Sequence, residues 1–179
     1  MKNAVGRDIP DALLENGREV YQGKDSMDGK PMQKVGPKTR RYEKPQESKL
    51  VSSLAAALRQ CGAKDGMTFS FHHHLRDGDY VASMTMTAAV EELGLKDLTV
   101  AATSLGNAHD AIADYIEQGK IIGIQTSGIR GRVGEVVSQG KLKTPAIIRS
   151  HGGRPRAIEA GEVHIDIAFV AAPASDCVG

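Results

Sequence analysis

The chain contains no tryptophan, and its aromatic share is only 4%. A core built without large rings must draw on Val, Ile, Leu, Ala and Met, the composition of a parallel sheet covered by helices. Cysteine is nearly absent: Cys61 and Cys177 lie far apart, which argues against a disulfide framework and leaves both as small buried or surface thiols. Neither sign of charge predominates, with 23 basic against 22 acidic residues, so nothing electrostatic points to nucleic acid or a membrane surface as partner. No apolar run approaches the roughly 18 residues of a membrane helix. The first residues lack the apolar stretch of a secretory leader, and the expectation is a cytoplasmic protein. Hydrophobic residues still make up 40% of 179 residues, enough for one domain with a real core.

What is present changes character near residue 47. Residues 1–47 hold four of the seven prolines (Pro10, Pro31, Pro37 and Pro45), and only Ile9 to Leu14 and Val20-Tyr21 look able to bury anything. This stretch reads as an extended N-terminal arm, with the basic block Lys38-Thr-Arg-Arg41 as a solvated face or, as the second reading, a phosphate contact. From residue 48 to 179 the pattern is regular. Leu50, Val51, Leu54 and Leu58 recur at helical spacing, with Ser48 placed to cap and Gly62 to end. Further helices are expected around Val81, Met84, Ala88 and Leu93; around Ile112, Tyr115 and Ile116 behind Asn107 as cap; around Val133, Val136 and Val137; and over Ala157 to Ala160 behind Pro155. Between them, Met67 to Phe71, Leu98 to Ala101, Ile121 to Ile124, Ala146 to Ile148 and Ile165 to Val170 read as strands. Strands alternating with helices predict an α/β fold with a mostly parallel sheet flanked by helices.

Ligands of such sheets bind outside the carboxyl ends of the strands. Three loops there carry unusual residues: His72-His73-His74-Leu-Arg76, Thr126-Ser127-Gly128-Ile-Arg130-Gly-Arg132, and Ser150-His151-Gly152-Gly153-Arg154. Consecutive histidines point in different directions, and zinc sites leave residues between their ligands, so the triplet reads as a polar wall and not as a metal site. Glycines let the backbone approach a ligand, and Arg130, Arg132, Arg149, Arg154 and Arg156 add donors suited to phosphate or carboxylate. Neither a P-loop nor Gly-x-Gly-x-x-Gly fits. Ser104, Ser127 and Ser150 lack the surroundings of a nucleophile elbow, and His109, His164 and Asp166 show no evident partner. The residues alone give an α/β domain with an anion-binding loop edge and an incomplete catalytic set.

The stretch Lys64-Asp-Gly-Met-Thr-Phe-Ser-Phe-His-His-His-Leu-Arg-Asp-Gly-Asp-Tyr80 closely resembles the α subunit of citrate lyase, a member of the CoA-transferase superfamily. Gly17-Arg-Glu-Val-Tyr-Gln-Gly23, Thr126-Ser-Gly-Ile-Arg-Gly131, Ser150-His-Gly-Gly-Arg-Pro-Arg-Ala-Ile-Glu-Ala-Gly-Glu162 and Asp166-Ile-Ala-Phe-Val-Ala-Ala-Pro173 extend the likeness over nearly the whole chain. The resemblance implies a CoA-transferase-like domain over residues 48–179. It also implies exchange of the acetyl group on a carrier protein's thiol for citrate, giving citryl carrier protein and acetate. The partners it implies are a β subunit that cleaves citryl carrier protein and a γ subunit, the acyl carrier, whose prosthetic group derives from dephospho-CoA; no cofactor is bound directly. Related CoA-transferases have a Gly-Gly-Phe turn where His72 to His74 stand, so the histidines would contact the acyl carbonyl or citrate. The family is longer, so this stretch is expected to be an N-terminal part, with any thioester-forming glutamate beyond residue 179. Other readings are a different acyl-CoA transferase or hydrolase of the superfamily, which the histidine triplet disfavours, and a non-catalytic assembly piece.

Overall fold

A computed structural model of the chain describes residues 1–3, 6–20, 48–72 and 78–176. The chain divides into two units, Met1–Val35 and Gly36–Gly179. Within the first, Lys2 and Asp8 form an antiparallel bridge, and a 3₁₀ segment, Asp11–Gly17, is interrupted where Asn16 takes a positive φ. The basic block Lys38 to Arg41 lies outside the described residues.

The second unit is organised by five parallel strands: β1 Thr68–His72, β2 Leu98–Ala102, β3 Ile121–Thr126, β4 Ile147–Ile148 and β5 Ile167–Val170. Their order is β4-β3-β2-β1-β5. The expected mostly parallel α/β sheet is thus borne out, and every pairing described is parallel. Five short helices connect or precede the strands: α1 Leu54–Gln60, α2 Val81–Thr87, α3 Asp110–Glu117, α4 Gly131–Ser138 and α5 Gly153–Glu159. A π turn, Ala88–Glu92, prolongs α2. Gly62, Gly94, Gly119, Gly140 and Gly161, the glycines expected behind the helical segments, all take positive φ. That is where a left-handed residue closes a helix and only glycine does so without strain.

Alternation along the strands sorts two faces. Ile167, Phe69, Val100 and Ile124 share one rung by register. They belong to the core with Met86, Ile112, Ile116, Val133 and Val136 from α2, α3 and α4. The neighbouring rung, Ala168-Ser70-Ala101-Gln125-Ile147, faces the other way. Right-handed crossovers from β1 through β4 place α2, α3 and α4 on the first face. The return from β4 to β5 then places α5 on the second.

Local expectations fail where a second residue competes for the same role. Helix α1 begins at Leu54, capped by Ser53, whose Oγ accepts from Ala56 N at 3.1 Å. Ser48 instead accepts from Leu50 N, and Leu50 is 70% exposed. Ser53→Ala should therefore cost about 1 kcal/mol in a denaturant titration, and Ser48→Ala nothing measurable. Met84, expected inward on α2, is exposed. Asn107 opens a 3₁₀ turn without capping α3. Strand β5 starts at Ile167: Asp166 stands before it, its Oδ2 accepting from Thr68 N at 2.8 Å and its Oδ1 lying 3.0 Å from His164 Nε2. His109 Nδ1 accepts from Gly106 N at 3.0 Å. These three side chains do have partners, and their work is to tie the chain together.

One buried tyrosine gives the fold a pH dependence. The Tyr115 hydroxyl donates to Glu91 Oε1 at 2.7 Å and sits 3.1 Å from Thr87 Oγ1. Burial, and then the bond to Glu91, hold the phenol above its usual range. The folded state therefore keeps this proton more tightly than the unfolded chain does. The contribution is complete below about pH 10, the ordinary phenol value, and is lost as pH rises through the raised one. Urea midpoints taken from neutral to strongly alkaline pH should fall more steeply for the wild type than for Tyr115→Phe.

Candidate functional site

Two residues beyond the polar rung, toward the carboxyl ends of the strands, the same face presents His72, Thr103 and Ser127. The parallel ladder continues through them: Thr103 N donates to Phe71 O at 3.1 Å and Ser127 N to Thr103 O at 3.2 Å. They form one side of a cavity of about 490 Å³, completed by Ser104, His151, Arg154 and Pro155. The last residue of β1 and the segments after β2, β3 and β4 all contribute. The volume falls within the range of about 300–1,000 Å³ common for small-molecule sites.

Arg154 dominates the chemistry. It stands in the first turn of α5 and reaches across the sheet, where its Nη2 donates to Ser70 Oγ at 2.9 Å and to Ala101 O at 2.8 Å. Burial makes the guanidinium a weaker base than usual, and no acidic side chain pairs with it among the described residues. Among the described residues the lining supplies a guanidinium, two imidazoles and three hydroxyls, and no carboxylate. Ser127 Oγ is shielded from water and lacks a hydrogen-bond partner among the described residues. A buried hydroxyl without a partner and a half-buried cation without a counter-charge, both among the described residues, are each costly.

Of the residues singled out from the sequence, His72, Ser127, His151 and Arg154 meet at this cavity. His73, His74 and Arg76 lie outside the described residues. Gly128, Arg130, Ser150, Gly152 and Gly153 do not line it. Gly128 closes a turn with Thr126 Oγ1. Ser150 Oγ accepts from Gly153 N at 3.0 Å, which occupies that amide. Among the other arginines, Arg132 pairs with Asp114 and Glu117, and Arg156 with Glu162, so both are structural. Arg149 Nη1 donates to Gln125 Oε1 at 2.9 Å, on the same rung as Ser70. The sequence reading missed Thr103 and Pro155 and considered Ser104 only as a nucleophile. The rule that singled out the other loops applies equally to the one after β2, but that loop carries no charge.

A parallel α/β sheet with a cavity at its carboxyl edge, lined among the described residues by one arginine and no acid, has the architecture in which α/β proteins place their ligand sites. The family model for "Citrate lyase, alpha subunit (CitF)" matches residues 47–179. The citrate lyase alpha chain of Haemophilus influenzae is 44% identical over 133 residues, covering 74% of this chain and 26% of that protein. The Escherichia coli alpha chain is 42% identical over 141 residues, covering 79% and 28%. A solved structure of a citrate lyase alpha subunit from Streptococcus mutans, in complex with citrate, superposes with a TM-score of 0.76 at 40% identity, covering 98% of this chain and 34% of that one. The chain belongs to the citrate lyase alpha subunit family, as the resemblance implied, and it spans about a quarter of the length of the curated relatives it matches.

Proposed function

We propose that the carboxyl-edge cavity binds citrate, and that the chain supplies one side of an acyl-exchange site. In that reaction acetyl carrier protein and citrate give citryl carrier protein and acetate. The observation that carries this reading is Arg154, a half-buried guanidinium held by two neutral acceptors beside a cavity whose described lining has no carboxylate. Further support comes from a relative of the same fold, 40% identical, solved with citrate.

The exchange passes a carboxylate oxygen and a thioester carbonyl through charged, oxygen-rich states. Arg154 holds a citrate carboxylate. Ser127 stands on the same wall of the cavity. His72 and His151 offer imidazole N–H groups to the oxyanion that develops at the carbonyl, a role in which one well-placed donor contributes about 3 kcal/mol. Among the described residues that line the cavity none is a glutamate, so a carboxylate that could take the carrier's thiol as an enzyme-bound thioester is not among them. The carrier's dephospho-CoA-derived arm would enter with its thioester from the solvent side. The β subunit would then cleave citryl carrier protein.

Two measurements test this. Calorimetric titration of the chain with citrate should show saturable binding, and acetate should compete weakly. Acetyl-to-citryl exchange on acetylated carrier protein should appear when the chain is extended to the length of its relatives. Absence of citrate binding sinks the reading of the cavity, and binding without exchange in the extended chain leaves a binding module for complex assembly.

A further inference from the structure

Strand β1 is apolar and buried at its centre, yet position 70 is a serine, 7% exposed between Phe69 and Phe71. Its neighbours on the rung are Ala168 and Ala101, small enough to leave room for a long side chain lying on the sheet. Arg154 fills that room. Its Nη2 spends both protons on Ser70 Oγ and Ala101 O, which fixes the rotation of the planar guanidinium. The Nε–H and Nη1–H groups have no acceptor among the described residues, and Arg154 lines the cavity.

We propose that Ser70 is a positioning residue for substrate recognition, setting the plane of Arg154 so that its remaining N–H groups meet a ligand carboxylate. The residue type matters. A neutral hydroxyl paired with a backbone carbonyl orients the cation without neutralising it, so the charge remains available to the substrate. An aspartate at position 70 would hold the arginine as firmly and take its charge. An alanine would leave the charge and lose the orientation, so that ordering the side chain is charged against binding. The inference rests on the reading of the cavity as a citrate site.

The test is citrate titration of the wild type, Ser70→Ala, Ser70→Thr and Ser70→Asp, with ¹⁵N NMR of the Arg154 side chain alongside. Ser70→Ala should weaken citrate by about tenfold, the loss of one hydrogen bond to a charged group. Threonine should restore affinity, and aspartate should lower it further while keeping the guanidinium signal ordered. Rescue by threonine and the split between order and affinity are effects a merely structural serine would not produce. Unchanged affinity in Ser70→Ala with unchanged Arg154 signals overturns the inference. If the wild type itself fails to bind citrate, the cavity reading falls. The NMR arm then decides positioning alone: slow Nη rotation in the wild type that is lost in Ser70→Ala supports it, and identical spectra overturn it.

Discussion

Replacing Arg154 with methionine should weaken citrate binding by roughly a hundredfold or more, about 3 kcal/mol, while folding stability stays within about 1 kcal/mol of wild type. The two halves of that expectation have different causes. Methionine keeps much of the aliphatic stem of the arginine, so little packing is lost. Two acceptors, Ser70 Oγ and Ala101 O, lose their donor, which destabilises. Against this, a guanidinium that burial makes a weaker base, with no counter-charge among the described residues, no longer has to be desolvated. The terms oppose each other. Binding has no such offset, because the described residues that line the cavity include no other permanent cation. Citrate calorimetry and a thermal melt on one preparation read both halves. A large fall in melting temperature with retained affinity would make Arg154 a structural residue and remove the main support for the citrate site.

Much of this fold was legible because its signals are local. The first three strands are short apolar runs that stop on His72, Thr103 and Thr126, and each helix ends on a glycine that proved to have positive φ. What the sequence hides is pairing at long range. Ser70 and Gln125 interrupt apolar strands for no local reason; their partners lie 84 and 24 residues onward, at Arg154 and Arg149. The same limit applies to the arginines as a group. Arg132, Arg154 and Arg156 all sit near strand ends, and only the placement of Asp114 and Glu117 on α3 and of Glu162 after α5 shows which are already paired. Near α1, Ser48 and Ser53 both precede apolar residues, and burial decides for Ser53, since Leu50 and Val51 turn out exposed. The site loops were found where they carried histidine or arginine. The uncharged loop at Thr103-Ser104 became visible only once register set it beside His72 and Ser127.

The alternation that separates site from core can be tested on adjacent residues of one strand. Phe69 is fully buried, 0% exposed, on the face opposite Ser70. Its ring lies 6.2 Å from that of Phe169, which stacks on Phe71 at 5.5 Å, so it helps hold the edge strand β5 against β1. Phe69→Ala should cost about 4 kcal/mol, the transfer free energy of the ring plus the cavity it leaves in a rigid parallel sheet. That is a large part of the roughly 5–15 kcal/mol by which domains are stable, so the variant should unfold at much lower urea. Its folded fraction should nonetheless bind citrate with wild-type affinity, because Ser70, Arg154 and the row His72-Thr103-Ser127 are on the other face. Ser70→Ala should do the reverse, losing affinity at little cost in stability. Urea titrations with and without saturating citrate separate the two: citrate should raise the midpoint of Phe69→Ala by as much as it raises that of the wild type. If Phe69→Ala lost citrate binding in its folded state, the two faces of β1 would be coupled, and the cavity could not be treated as a feature of the polar face alone.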